Sequence, residues 1–390
     1  MKKKLFFLVF FILIVLLFSF LYITKPPILN CPHFKGNVNG VLKKVPPLKI
    51  VYLYGNGYER GFQHGKLLKK DIKYVVSVLK RVVGPFAYYV AILEAKKLDE
   101  NIPKEYRCEM EGVAEGAGVS YYDILLINTF DDLKHLVGCS SLIVVKSNFS
   151  KEFIFARNLD YPHSELARKN IIFVYKNMEK HSYISVAFPG YIGVLTGLND
   201  AGICISIHTS ATRENQWGIP TGFLLRECME NSNSLNDLFK IVSTSKRCQG
   251  NNLMVGSFKE NLAAVIEYTA KHMGIRYFPK DRGFIECTNH FQIEKMKQYN
   301  KSRWKNSLKR ASFMENSLRK GNITFDSVRS IFTYYDGNKI EWTSVANKGT
   351  VQSVIFLPDR DLMLVGKGIS PPVNKDGFLR FKMSEFIQIK

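Results

Sequence analysis

Gly138-Cys139-Ser140-Ser141-Leu142-Ile143-Val144-Val145 sets a cysteine between small residues and an unbroken apolar run, and Ala156-Arg157-Asn158-Leu159-Asp160 follows shortly after. β-Branched residues in a run of this length predict a buried strand. Ser147-Asn148-Phe149-Ser150-Lys151 has turn composition, so the two runs predict a hairpin whose far end returns beside its start. Such a hairpin lets Cys139 face Arg157 and Asp160 across the sheet. A guanidinium beside a thiol favours the thiolate, which is the reactive form. If the peptide bond before Cys139 is cut, the new α-amino group is a base carried by the nucleophile itself. The competing reading is a buried small hydrophobe, the common state of a free cysteine.

Three hundred and ninety residues suffice for a large core, and 46% hydrophobic residues is ordinary for a folded chain. The formal charge of +21 is not ordinary, but its lysines and arginines are scattered, with no block longer than Lys2-Lys3-Lys4. No helix-turn-helix, zinc-finger or RNP pattern accompanies them, so a solvated basic surface is expected and no nucleic-acid partner. Lys2-Lys3-Lys4 precedes an apolar stretch from Leu5 to Ile23 with no A-x-A-type cleavage site after it. That length spans a bilayer, and the preceding lysines place the N-terminus in the cytosol. Residues 1–25 are therefore expected to be a single-pass signal anchor holding an extracytoplasmic body, or a secreted one if the signal is cut. The seven cysteines have irregular spacing and no C-x-x-C pair, which argues against a zinc site or a disulfide framework.

Residues 26–48, rich in Pro, Gly, Asn and Lys, read as a tether. Leu48–Tyr54 reads as a strand, and helical periodicity runs from Lys66 to about Lys97. Further helices are expected around 109–118 and 121–128, so residues 49–138 are mostly helical. Beyond Cys139 the texture changes. Strand-length runs are expected at Ile171–Tyr175, Tyr183–Phe188, Ile192–Thr196 and Ile203–His208, then helices at Thr221–Asn231 and Leu235–Ser243. A second strand cluster (Leu253–Val255, Leu262–Tyr268, Gly274–Phe278, Gly283–Cys287) closes on Thr288-Asn289-His290-Phe291. Helices at Ser302–Leu318 and Phe325–Tyr334 and a hairpin of Thr350–Leu357 with Leu362–Val365 complete the chain. Two strand clusters, each followed by helices, predict an α+β chain with two stacked sheets between helical layers.

Several stations in fixed order carry a resemblance. They are Tyr58-Glu59-Arg60-Gly61-x-x-x-Gly65, Glu109-x-Glu111-Gly-x-Ala-x-Gly116-Ala-Gly118, Asp123-Ile-Leu-x-x-Asn128, Gly138-Cys139-Ser140-Ser141, Arg157-Asn158-x-Asp160, Gly197-x-Asn199-x-x-Gly202, Thr288-Asn289-His290-Phe291 and Ser353-Val354-x-x-x-Pro358. Together they resemble the acyl-coenzyme A:6-aminopenicillanic acid acyltransferase-like proteins, the C45 peptidase group of the N-terminal nucleophile superfamily. The resemblance implies a four-layer αββα fold and self-cleavage before Cys139. Residues 49–138 would then be a pro-segment retained as an α chain, and 139–390 the catalytic β chain. Cys139 would be the nucleophile, with its freed amine as proton acceptor. Asp160 would orient the amine and thiolate, Arg157 would hold the thiolate or a substrate oxygen, and Asn289 would stabilise the oxyanion. The resemblance implies no cofactor and no metal. His64, His208 and His290 are expected to be packing or rim residues, and Asn199 and Gly202 turn formers.

The function this implies is a Cys-nucleophile amidohydrolase or acyltransferase acting on a small-molecule or lipid N-acyl amide through an acyl-enzyme at Cys139. The reading from another class is a catalytically silent, membrane-tethered binding protein with the same fold.

Overall fold

The computed structural model describes residues 26–32, 39–134, 138–301, 305–319, 321–337 and 343–389. The expected anchor, residues 1–25, lies outside them, and among the described residues no single helix is long and apolar enough to cross a membrane.

Alternating burial along the strands builds two sheets. One has nine strands in the order β1-β2-β5-β6-β7-β8-β9-β10-β11: β1 Val41–Val45, β2 Leu48–Tyr54, β5 Ile171–Lys176, β6 Tyr183–Ala187, β7 Thr196–Asn199, β8 Ile203–Thr209, β9 Asn251–Ser257, β10 Leu262–Tyr268 and β11 Met273–Tyr277. The other has six, β12-β3-β4-β13-β14-β15: β12 Phe284–Cys287, β3 Gly138–Val144, β4 Ile154–Asp160, β13 Thr350–Leu357, β14 Leu362–Gly366 and β15 Phe378–Lys382. Neighbours are antiparallel except β2 and β5, which run parallel. Ile143, Phe155, Val354 and Phe356 of the smaller sheet interlock with Ile172, Val174, Ile184 and Met254 of the larger. The opposite face of the larger sheet, including Val51, Leu53, Phe173 and Ile205, packs under helices. These are α1 Gly57–Leu67, α2 Lys69–Val83, α3 Pro85–Asp99, α4 Lys104–Ala117, α5 Tyr121–Lys134, α6 Thr221–Asn231 and α7 Leu235–Thr244. After the short α8 (Glu294–Lys297), α9 (Lys305–Leu318) and α10 (Phe325–Thr333) cover the outer face of the smaller sheet through Met314, Val328 and Phe332 against Leu142, Ile154 and Ile355. The result is an α+β chain in four layers, helix–sheet–sheet–helix.

The glycine stations before Cys139 are packing devices. A Cβ on Gly61 would sit 2.0 Å from the Glu109 carbonyl oxygen, and one on Gly116 2.5 Å from that of Phe62, so α1 and α4 meet backbone to backbone. Asn199 acts as a turn former: its Oδ1 accepts from the Ile203 N–H at 2.8 Å.

Four expectations change. The helical run 66–97 is broken at Gly84 (φ 78°) and Pro85, and α2 and α3 are bent by 109°; proline at the first helical position starts a new helix. Ile192–Thr196 is not a strand; β7 begins at Thr196, because Asn128 Oδ1 accepts from the N–H groups of Ile192 (2.8 Å) and Gly193 (3.3 Å) in place of a strand partner. Residues 26–48, read as a tether, contain β1, which pairs with β2. Cys31 and Cys108 form a disulfide, which the irregular spacing argued against; partners 77 apart in sequence leave no local signal.

Candidate active site

In the β3–β4 register Gly138 faces Asp160, Cys139 faces Leu159 and Ser141 faces Arg157. Because side chains alternate, Cys139 and Arg157 share the face turned to the larger sheet, while Asp160 points to the other. The hairpin thus delivers Arg157 to the thiol, with Nη2 donating to Cys139 Sγ at 3.5 Å. It does not set Asp160 on the same face. The Asp160 carboxylate is fixed from behind, accepting from Asn347 Nδ2 at 2.8 Å and Thr350 Oγ1 at 2.7 Å.

Arg157 is fully buried, and besides the thiol its Nη1 and Nη2 meet neutral acceptors, the Ile207 carbonyl at 3.0 Å, Gln352 Oε1 at 3.3 Å and Thr196 Oγ1, while its Nε has no partner. Among the described residues no carboxylate ion-pairs with it, so its charge is directed at Cys139. Burial pushes the Cys139 thiol up and the Arg157 guanidinium pulls it down, with burial prevailing. The expected thiolate is therefore not favoured in the uncut chain; a base is needed.

Asn289, just beyond β12, lies against the same residue. Its Oδ1 accepts from the Cys139 peptide N–H at 2.8 Å, and its Nδ2 donates to the Thr209 carbonyl at 3.0 Å. Arg310 of α9 completes the site and was missed in the sequence. Its Nη2 donates to Asn289 Oδ1 at 2.9 Å, its Nη1 donates to Ser140 Oγ at 2.9 Å and to the Cys139 carbonyl, and Nη1 lies 3.8 Å from Asp160 Oδ2. A signal existed: Ser307, Arg310, Ala311, Met314 and Leu318 form the buried stripe of α9, and an arginine on such a stripe needs acceptors.

The histidines are structural in character. His208 is fully buried, with Nε2 3.2 Å from Ser206 Oγ. Burial first, then Arg157 and Arg310, hold it well below the usual histidine range, so it is a poor proton acceptor. His64 accepts from the Gly190 N–H at 3.0 Å and is held at about 3 by burial. His290 Nδ1 lies 2.8 Å from Ser307 Oγ. Among the described residues the single grouping of three potential metal ligands is Cys31, Cys108 and Glu111, whose two sulfurs are bonded to each other.

An apolar cavity of about 70 Å³ lies beside the site, walled by Val78, Leu79, Ile127, Phe188 and Leu195. Its lining residues Leu195 and Tyr161 adjoin Thr196, which accepts from Arg157, and Asp160 in the chain. There Tyr161 donates to Asp131 Oδ1 at 2.8 Å, and burial pushes Asp131 up to about 7. A carboxyl raised in the folded state binds a proton that the unfolded chain has lost, so its contribution to stability falls as pH rises from about 4 through about 7. Asp131→Asn is expected to raise the melting temperature at pH 8 and to change it little at pH 4, which melting curves at the two pH values check.

The family model of acyl-coenzyme A:6-aminopenicillanic acid acyl-transferase matches residues 147–358, more than half of the chain. The matched region holds Arg157, Asp160, Asn289 and Arg310, and begins after Cys139. Protein dcd1A of Dictyostelium discoideum is 26% identical over 281 residues, covering 60% of this chain and 63% of that protein. An N-acylethanolamine-hydrolyzing acid amidase of Caenorhabditis elegans is 23% identical over 224 residues, covering 52% and 62%. An acid ceramidase of Bos taurus is 21% identical over 376 residues, covering 85% and 86%. The chain spans less than two thirds of the length of several such relatives, dcd1A included. With a family model matching more than half of its length, the chain belongs to the acyl-coenzyme A:6-aminopenicillanic acid acyl-transferase family.

Proposed function

We propose that this chain is a self-cleaving thiol enzyme that hydrolyses an N-acyl amide, or transfers its acyl group, through a thioester at Cys139. The observation that carries the reading is the convergence on one residue: Arg157 on its thiol, Asn289 on its peptide N–H and Arg310 on its carbonyl. In the first reaction Sγ attacks the Gly138 carbonyl carbon and the C–N bond to Cys139 breaks. The thiol proton passes to the departing nitrogen, and water then opens the thioester to leave a carboxylate on Gly138 and a free α-amine on Cys139. In the second reaction the α-amine takes the thiol proton, Sγ attacks the substrate carbonyl, and the proton leaves with the departing amine. Water or an acceptor amine resolves the acyl-enzyme. Asp160, 3.8 Å from Arg310, serves by holding that guanidinium and the new amine in place.

The apolar cavity supports an acyl chain as the group carried, as do the relatives named for acylethanolamine hydrolysis and ceramidase activity. After cleavage the two parts stay associated. Arg60 and Glu109 of the first part meet Arg226 and Glu230 of the second in a buried network, with Arg226 Nη2 to Glu109 at 2.7 Å and Nε to Glu230 at 2.9 Å. The anchor at residues 1–25 holds the body outside the cytosol, a reading supported by the Cys31–Cys108 disulfide, which persists in oxidising compartments. Pelleting of full-length protein with carbonate-washed membranes checks it.

Asn289→Ala tests the oxyanion assignment. Its Nδ2 donates to Thr209 in the uncut chain and turns to the substrate oxyanion once Gly138 has left. Turnover of an N-acyl amide by the cleaved variant is expected to fall by roughly a hundredfold or more. Unchanged turnover would remove Asn289 from the reaction.

A further inference from the structure

The last turn of α5 divides two spaces. Ile127, Phe130 and Asp131 face the small apolar cavity, whereas Asp132 and Leu133, on the other flank, line an open cleft of about 550 Å³ against α3 and the 215–217 and 248–249 segments.

The cleft has apolar walls, with Phe86, Val90 and Trp217 partly or largely exposed at its rim. Its floor is polar and centres on the Asp132 carboxylate. Asp132 Oδ1 accepts from the Thr221 N–H (3.1 Å), Thr221 Oγ1 (2.8 Å), Gln249 Nε2 (2.8 Å) and Cys248 Sγ (3.1 Å), all neutral donors. Because Gln249 spends its Nε2 on Asp132, its amide orientation is fixed and its oxygen faces away. That oxygen has no partner, although Gln249 is only 2% exposed. A buried acceptor left unpaired costs free energy that a donor-bearing ligand would recover. In a chain of charge +21, the cleft lining holds two carboxylates, Asp132 and Glu94, and no lysine or arginine. Glu94 is already paired with Lys97 at 3.0 Å, and that ammonium also lies over the Trp217 ring at 4.8 Å, so the side left open to a cation is that of Asp132, along Val90 and Phe86.

The floor is tied to the reaction site by short links. Thr221 Oγ1 accepts from Asn251 Nδ2 at 2.9 Å, Asn251 pairs with Thr209 across β8 and β9, and Thr209 accepts from Asn289. We propose that this cleft binds a protonated primary amine on a short apolar tail, and that in the reaction proposed above it receives the leaving amine, protonated, once the amide bond is broken. The ammonium meets Gln249 Oε1 and the Asp132 carboxylate, and the tail lies along Val90 and Phe86. The acyl half then occupies the cavity on the other flank. This assignment of halves rests on the amidohydrolase reading; the binding site does not.

Octylamine binding to the full chain by calorimetry at pH 7.5 is the test, with octanol as the uncharged comparison. Saturable octylamine binding is expected, with octanol weaker by about tenfold or more. Val90→Lys adds a like charge at a position 41% exposed, where the fold tolerates it, and is expected to weaken octylamine by about tenfold. Gln249→Leu should weaken it by about fivefold, provided its melting temperature shows a folded protein. No octylamine binding, or equal binding by wild type and Val90→Lys, would overturn the proposal. Binding by a wild-type protein that hydrolyses no octylamide would leave the amine site standing and remove the amidohydrolase reading. Hydrolysis without octylamine binding would do the reverse.

Discussion

Cys139→Ala is expected to remain one uncut chain of 44.7 kDa and to show no turnover of N-acyl amides above background. Two losses coincide in this variant. The nucleophile is gone, and without cleavage no α-amine forms to act as its base. Removing a nucleophile of this kind costs on the order of a millionfold in rate. Folding should be unharmed: Cys139 is fully buried but small, and the contacts that define the hairpin are backbone pairs and the Asn289 bond to its N–H. Cys139→Ser should cut slowly, since a hydroxyl is a weaker nucleophile than a thiolate. Intact-mass measurement reads both variants, and an Ala variant that still divides at this bond would show that the thiol is not the attacking group.

The second large effect belongs to Arg310. This guanidinium is buried with its donors on the Cys139 carbonyl, Ser140 Oγ and Asn289 Oδ1, and it is the cation nearest Asp160. Arg310→Ala leaves a buried carboxylate without its positive neighbour and takes a donor from three buried acceptors, of which Asn289 Oδ1 keeps the Cys139 N–H. Breaking such an arrangement from one side costs about 3–5 kcal/mol. Urea denaturation of the variant should show that loss, and its self-cleavage should slow markedly because the scissile residue is no longer held. Arg310→Lys should recover part of the stability but not the bidentate hold on Cys139 and Asn289, since an ammonium cannot span both. A variant with native stability and native cleavage would show that Arg310 only fills space.

Much of this site was legible because β-strand alternation is short-range. Cys139, Arg157 and Asp160 lie on two strands joined by one turn, and their pairing follows from the hairpin. That Asp160 and Arg157 point to opposite faces was legible as well, since they are three apart on one strand; which of them shares the face of Cys139 depends on the register, and on a turn that Ser147–Lys151 does not announce. Arg310 comes from a helix 171 residues from Cys139, and only its place on an apolar stripe hinted at burial. The Asn347 and Thr350 partners of Asp160 are likewise distant, at separations of 187 and 190. Strands with strong apolar runs, such as β5 and β10, were readable directly. β1 was not, because Lys43 and Lys44 give it the polar look of a linker while suiting the edge of a sheet. The break between α2 and α3 was written in Gly84-Pro85, yet apolar periodicity on both sides masked it.

The central claim is that Cys139 becomes the first residue of a second chain. N-terminal sequencing of active wild-type protein, separated under denaturing conditions, tests it directly. The expected result is a fragment beginning Cys139-Ser140-Ser141-Leu142 in one-to-one ratio with the part that precedes it. Fully active protein that runs as a single uncut chain, with no new N-terminus at Cys139, would contradict it.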